Sequence, residues 1–163
     1  MNAYHKRLVD RLESAGDEFG KGLLGLTNEE IKRVPAPNEW TIHQAAAHVR
    51  DTEVKVLLYR VKRILTEEVP AVPNFDQDAW SREHYSPDEP IKKIARDFIA
   101  ARRKAVKSLR ALSDKDWARR GIHSAFGNIS IEWLVTHFYA HTLDHIGQIM
   151  YARDAALLKK INN

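Results

Sequence analysis

The 163-residue chain contains no cysteine. Disulfide bonds, thiolate metal ligands and a cysteine nucleophile are therefore excluded, and any bound metal would have to be held by histidine, carboxylate or water. Glycine and proline are also scarce, with 7 and 6 residues, while 44% of the chain is apolar and 29% is charged. This composition is typical of an ordered, helix-rich protein and argues against disorder or a β-sandwich.

Long hydrophobic runs are missing as well. No segment approaches the roughly 18 apolar residues that a membrane-spanning helix needs, and the polar N-terminal segment lacks the apolar stretch of a signal peptide. We therefore expect a cytoplasmic protein with no membrane partner. The length predicts a single domain over residues 1–163.

The excess of one charge sign is slight, because 26 basic residues oppose 22 acidic ones and the net charge is +4. Basic residues are most concentrated on one face of the third predicted helix. They are Lys92, Lys93, Arg96, Arg102, Arg103, Lys104, Lys107 and Arg110. Charges on a helix surface are usually solvated, so we do not expect a nucleic-acid partner.

Apolar residues recur at intervals of three and four in four long segments, which predicts four amphipathic helices. The segments are residues 3–26, 41–64, 86–112 and 130–159. Thr41 is the predicted N-cap of the second helix, and Ser86 followed by Pro87 predicts the start of the third. Four long helices without alternating strands favour an all-α fold, a four-helix bundle with long connecting loops.

Two connections are long enough to contribute to a site. Residues 67–86 form the longest predicted irregular stretch, and loops of this length are often functional or act as lids. Trp80 or Tyr85 in this stretch could cover a site. Residues 113–128 predict a second loop, with room for a small hairpin, in which His123 and Phe126 are further candidates for a pocket. Packing is the alternative role for all four side chains.

Three of the eight histidines, His137, His141 and His145, lie four residues apart on the last predicted helix. Residues at this spacing stack on one helix face, about 5–6 Å apart at Cβ, so neighbouring imidazoles can bind one cation. His141 and His145 fall in phase with the apolar stripe, where an unpaired polar group would cost about 1–3 kcal/mol. His48 lies on the inward stripe of the second helix. Together His48, His141 and His145 would supply three nitrogen ligands and leave an open position for water or substrate.

Spacing separates this pattern from two other metal sites. A zincin has glutamate directly after the first histidine, where this chain has Thr142 after His141. A di-iron bundle has paired Glu-x-x-His motifs, and the sequence contains none. His137 stays ambiguous, because it could be a ligand, a neighbour that orients a ligand, or a residue facing another helix.

Two carboxylates and three histidines complete the set of titratable candidates. Asp51, three residues after His48, and Asp144 could accept a hydrogen bond from an imidazole, and solvation at the surface is the alternative for both. The remaining histidines show no partner pattern and are predicted to lie at the surface. They are His5, His43 and His84.

Several short motifs resemble those of the DinB/YfiT-like superfamily of metalloenzymes. They are Asn38-Glu39-Trp40-Thr41-Ile42, Ala47-His48-Val49-Arg50-Asp51-Thr52-Glu53, Ala125-Phe126-Gly127-Asn128-Ile129-Ser130 and His141-x-x-x-His145-Ile146-Gly147-Gln148-Ile149. The resemblance covers most of the chain. It implies a four-helix bundle that binds a divalent metal, most often nickel or zinc, through one histidine of the second helix and two of the last. Those positions correspond to His48, His141 and His145.

The resemblance implies a range of reactions. Some relatives are thiol transferases that use low-molecular-weight thiols such as bacillithiol, others are mycothiol-dependent isomerases, and others resemble hydrolases. In each case a metal could lower the pKa of a thiol or water and present the anion as nucleophile. We therefore expect a transferase or hydrolase with a small-molecule substrate, such as a thiol. The alternative is a non-catalytic stress-response bundle that binds a metal or small molecule. Relatives are often homodimers, so the resemblance implies a homodimer, whereas the helix periodicity of one chain leaves the oligomeric state open because it does not separate burial within the chain from burial between chains.

Overall fold

Four long helices form the framework of the protein, as predicted. The computed structural model describes the backbone of residues 1–161 and the side chains of residues 1–154, so the last two residues of the predicted domain lie outside the described part. The long helices are α1 (Ala3–Leu24), α2 (Ile42–Thr52) with its continuation α3 (Leu58–Thr66), α5 (Ile91–Arg110) and α7 (Ile131–Ile161). A π-helical turn, Glu53–Leu57, joins α2 to α3. The prediction of an all-α four-helix bundle is confirmed.

Short elements lie in the connections between the long helices. They are a 3₁₀ turn (Glu30–Lys32), β1 (Ala71–Val72), α4 (Gln77–His84), α6 (Asp114–Trp117), β2 (Arg120–His123) and β3 (Gly127–Ser130). Strands β2 and β3 form the antiparallel hairpin that the sequence left room for, and β1 pairs with β2 in parallel. This small sheet places His123 beside the first turns of α7.

Two predictions about the connection between the second and third long helices are wrong. The stretch 67–86 is not irregular throughout, because it contains β1 and the two-turn helix α4, which is capped by the Asp76 side chain. Helix α5 begins at Ile91 rather than at Ser86, and Pro90 is its N-cap. The physical reason is that Pro90 disfavours helical backbone at the residue before it, so a helix cannot run from Ser86 through this position. The predicted cap at Thr41 is confirmed as a capping box with Gln44.

The buried apolar side chains form two clusters with a polar layer between them. One cluster includes Leu12, Val56 and Phe138, and the other includes Phe19 and Phe98. On each long helix, the residues between the two clusters are small or polar. They are Gly16 on α1, His48, Thr52 and Glu53 on α2 and the π turn, Arg102 on α5, and His141, Thr142 and His145 on α7. The bundle therefore has a polar middle layer in an otherwise apolar core.

None of the helices in the described part of the chain is both long enough and apolar enough to cross a membrane.

Candidate metal centre

His48, His141 and His145 meet in the polar layer. One ring nitrogen from each lies within 4.8 Å of the corresponding nitrogens of the other two. The Nε2 atoms of His48 and His141 are 3.0 Å apart, and the ring centroids of His141 and His145 are 4.7 Å apart. Helix α2 supplies one imidazole, and consecutive turns of α7 supply the other two. The structure thus brings together the three residues that the sequence singled out.

The environment keeps all three imidazoles neutral at physiological pH. Burial lowers the pKa of His48 to about 4, with a further contribution from His145. Burial also lowers the pKa of His141 to about 3, and the neighbouring His145 and His48 add to the effect. The pKa of His145 is lowered by burial as well, although Gln148 and Asp144 oppose the shift. Neutral imidazole is the form that binds a metal ion, so the donors need not lose a proton first.

Gln148 fixes the tautomer of His145. The Nδ1 atom of His145 lies 2.8 Å from Oε1 of Gln148, to which it can donate its proton. The lone pair is then on Nε2, the nitrogen left for a metal. Neither of the two carboxylates that the sequence offered for this role hydrogen-bonds any of the three imidazoles. Asp51 instead pairs with Arg50 and accepts a 3.0 Å hydrogen bond from Trp80 Nε1, while Asp144 lies beside His145 in a surface depression.

A buried ion pair lies in the same polar layer as the three histidines. Arg102 donates to both oxygens of Glu53, at 2.7 and 2.9 Å, and also to Oγ1 of Thr142 and the carbonyl of Leu12. Thr142 follows His141 directly, so this network fixes the turn of α7 that carries the histidines. Arg102 is 3% exposed. Its predicted position on a solvated basic face is therefore wrong, because a carboxylate from the π turn compensates its charge inside the bundle.

The remaining histidines have separate roles. His137 is absent from the three-nitrogen cluster, and its ring stacks on Trp133 with centroids 4.8 Å apart. His84 is exposed, as predicted. The surface prediction is wrong for His5 and His43, which are both buried. His5 pairs through Nε2 with Glu132 and stacks on Trp117, and its Nδ1 has no hydrogen-bond partner among the described residues. Both ring nitrogens of His43 are bonded, to Tyr85 and to the carbonyl of Glu89.

A cavity of about 120 Å³, half open to solvent, adjoins His48 and His141 and is called the inner cavity below. It is lined by His48, Thr52, Val56, Arg60, Asn74, Phe75, Gln77, His123, Phe126, His137, Phe138 and His141. His141 also lines an outer surface depression of about 390 Å³, together with His145, Gln148 and Trp40. The three histidines thus lie where an inner cavity and an outer depression meet.

The aromatic candidates from the two connections lie near the centre. His123 and Phe126 line the inner cavity. Trp80 and Tyr85 line a narrow space beside His48, each held by a hydrogen bond to another residue. Arg60 and Gln148 were missed from the sequence. Gln148 had a recognisable signal, because residues three apart share a helix face.

Known proteins of one superfamily resemble the chain in sequence. The sequence profile of the DinB superfamily matches residues 11–149. Two proteins from Oceanobacillus iheyensis, each named "Putative metal-dependent hydrolase", are 25% and 28% identical to the chain. The first alignment covers 88% of this chain and 82% of the relative, and the second covers 86% and 81%. A protein of the same name from Geobacillus thermodenitrificans is 22% identical, over 91% of this chain and 83% of the relative.

Two solved structures share the fold. One is described as "YfiT from Bacillus subtilis is a probable metal-dependent hydrolase with an unusual four-helix bundle topology". It superposes with a TM-score of 0.85 at 21% identity, and the match covers 96% of this chain and 90% of the other. A DinB-like protein from Bacillus cereus has a TM-score of 0.62 at 22% identity, with coverage of 87% and 86%. At these identities the likeness establishes the bundle architecture.

Proposed function

The chain belongs to the DinB superfamily, and on this premise we propose that it is a metal-dependent enzyme whose divalent cation is bound by His48, His141 and His145. The observation that carries the proposal is the convergence of three imidazoles, all held neutral, in the polar layer of the bundle. The names of the relatives from Oceanobacillus iheyensis support metal dependence. The cytoplasmic location and the homodimer stay predictions.

The donor set fits zinc or nickel. Two nitrogen ligands at about 2.0–2.1 Å from a tetrahedral zinc ion lie about 3.3 Å apart, close to the 3.0 Å between the Nε2 atoms of His48 and His141. Without a metal, one of these two Nε2 atoms has to carry the ring proton and donate it to the other, whereas a cation would accept the lone pairs of both. Imidazole also suits nickel, and three histidines without thiolate are typical of a site that keeps one position open.

The surrounding protein groups would orient the metal-binding histidines and leave space for a substrate. A bound divalent cation supplies Lewis acidity, which lowers the pKa of a water or thiol that it coordinates. Gln148 keeps His145 in one tautomer, and the Arg102 network holds the helical turn of His141. The inner cavity offers space for a small substrate beside His48 and His141. We propose hydrolysis as the reaction class, in line with the names of the relatives, and transfer of a low-molecular-weight thiol as the second candidate.

Activity of metal-loaded and chelated protein tests this proposal. The protein is stripped with a chelator, reloaded with zinc or nickel, and assayed with p-nitrophenyl acetate for hydrolysis and with bacillithiol plus monochlorobimane for thiol transfer. We expect one of the two activities in the loaded protein and its loss on chelation and in His141→Ala. His84→Ala, which changes an exposed histidine, should keep the activity. An activity that chelation leaves unchanged contradicts the proposal, and inactivity of fully loaded protein across such panels favours a non-catalytic metal-binding bundle.

A further inference from the structure

Arg60 is a buried cation without an anionic partner. It is 6% exposed, and one Nη donates a 2.6 Å hydrogen bond to the carbonyl of Pro73. No carboxylate in the described part of the chain lies within 4.0 Å of its guanidinium. The contrast with Arg102 is direct, since that buried guanidinium is paired with Glu53. A buried charge normally requires a partner, because the cost of removing it from water is several kcal/mol.

His123 presents a buried hydrogen-bond donor that is also without a partner. Its Nδ1 accepts hydrogen bonds from the backbone N–H groups of Ala125, at 3.0 Å, and Phe126, at 3.3 Å. Nδ1 is therefore unprotonated, and the ring proton of the neutral imidazole is on Nε2. This Nε2 is buried and has no hydrogen-bond partner among the described residues. Burial and the charge of Arg60 lower the pKa of His123, which keeps it neutral.

Both residues line the inner cavity that also contacts His48 and His141. The volume of about 120 Å³ suits a small organic group, and Phe75 and Phe126 give part of the wall an aromatic surface. The cavity therefore combines an uncompensated positive charge, an unpartnered N–H donor and an apolar wall, at a position next to the three histidines.

We propose that the inner cavity binds a carboxylate group of the substrate, with Arg60 as the charged ligand and His123 as a hydrogen-bond donor. The single positive charge matches a monoanion rather than a doubly charged phosphate, because His123 is neutral and one Arg60 nitrogen already donates to Pro73. This inference deepens the proposed function. It rests on the proposed function only for the reacting part of the substrate, because a carboxylate bound here places the rest of the molecule beside His48 and His141. The substrate class is a small carboxylic acid.

The binding of benzoate and benzamide tests the carboxylate site. The two molecules have nearly the same shape, and only benzoate is charged. Titrations of each are followed by NMR or calorimetry with the full-length chain, both as purified and after chelation. The chelated sample matters because a metal could itself attract a carboxylate. We expect benzoate to bind the wild type at least about tenfold more tightly than benzamide in both samples, a difference of about 1.4 kcal/mol.

Variants locate the preference. Arg60→Gln should reduce the ratio of the two affinities to near one. Arg63→Gln, one turn further along α3, removes an arginine that is paired with Glu67 outside the cavity and should keep the wild-type ratio. Circular dichroism melting curves verify that each variant folds. The comparison of benzoate with benzamide in the wild type does not depend on the folding of any variant.

Three results overturn the carboxylate site: equal affinities for benzoate and benzamide in wild type, a preserved preference in Arg60→Gln, or tighter binding of inorganic phosphate than of benzoate. The test is separate from that of the proposed function. If the chain prefers benzoate but binds no metal, the anion site is supported and the metal-dependent enzyme is contradicted. If the chain binds metal but shows no preference for benzoate, the metal site is supported and the anion site is contradicted.

Discussion

The Nε2 atoms of His48 and His141 lie 3.0 Å apart although the two residues are 93 positions apart in the chain. No backbone geometry local to either helix imposes this contact. It arises because α2 and α7 pack against each other and each turns an imidazole into the polar layer. Burial keeps both rings neutral, so in the metal-free protein one Nε2 carries the ring proton and donates it to the other, and a cation between them would replace this hydrogen bond.

The stability of the metal-free protein should fall as the pH drops from about 6.5 to about 4.5. An unfolded histidine has a pKa near 6.5, whereas burial lowers the pKa of His48 to about 4 and of His141 to about 3 in the native state. The unfolded state therefore binds more protons in this window, which makes the native state less stable at lower pH. Urea unfolding midpoints at a series of pH values measure the effect.

A double variant, His48→Gln with His141→Gln, should reduce this pH dependence and leave the part contributed by other histidines whose pKa burial lowers, such as His145 and His123, whereas His84→Gln should not change it. Carboxylates act mostly below this window, because a group such as Glu89, whose pKa is lowered to about 2, loses most of its stabilising effect below the pKa of an unfolded glutamate, 4.5. Midpoints that do not change between pH 6.5 and 4.5 in wild type would show that the histidines are not buried as described.

Gln148→Ala should weaken zinc binding by about 10- to 100-fold, the usual effect of removing a group that orients a metal-binding histidine. The cause is the loss of the 2.8 Å contact between Gln148 Oε1 and His145 Nδ1. Gln148→Glu keeps an acceptor oxygen and should keep most of the affinity. Calorimetric titration with zinc compares the three proteins, and an affinity of Gln148→Ala equal to that of wild type would refute this role.

Glu53→Gln should destabilise the protein by about 3–5 kcal/mol, because it leaves the guanidinium of Arg102 buried without its counter-charge. The double variant Glu53→Gln with Arg102→Met removes the charge as well and should recover part of the loss. Denaturant unfolding measures both. If the double variant is less stable than Glu53→Gln alone, then Arg102 stabilises through its contacts to Thr142 and Leu12 and not through the ion pair.

Two glycines of α1 should respond in opposite directions to alanine. A Cβ at Gly16 would lie 2.7 Å from Cγ of Arg102, whose guanidinium is fixed, whereas a Cβ at Gly22 meets nothing within 4 Å. We expect Gly16→Ala to destabilise by about 1–3 kcal/mol through overpacking. Gly22→Ala should stabilise by about 0.5–1 kcal/mol, because alanine favours helix. Thermal melts of the two variants distinguish them, and a stabilised Gly16→Ala would contradict the tight packing at Arg102.

Local patterns predicted the bundle because its signals are local. Apolar phase on the last helix selected His141 and His145 over His137, and the capping signal at Thr41 located the start of α2. The start predicted at Ser86 is wrong because Pro90, which is also a local signal, disfavours helical backbone at Glu89.

Local sequence patterns could not predict which polar residues are buried in the bundle. The burial of Arg102 depends on Glu53, which is 49 positions away, and the burial of His5 depends on Glu132, which is 127 positions away. A sequence shows that a residue is charged or titratable but not that a distant partner will satisfy it. Arg60 and His123 illustrate the same limit, since only the packing of the small sheet beside α7 shows that both line one cavity.

Metal stoichiometry tests the central claim most directly. Purified wild type and single alanine variants at His48, His141, His145 and His137 are dialysed against zinc or nickel, and bound metal is measured by elemental analysis. The account predicts one equivalent in wild type and in His137→Ala, whose ring stacks on Trp133 outside the cluster, and almost none in the other three variants. Full metal content in variants of His48, His141 and His145 would contradict it.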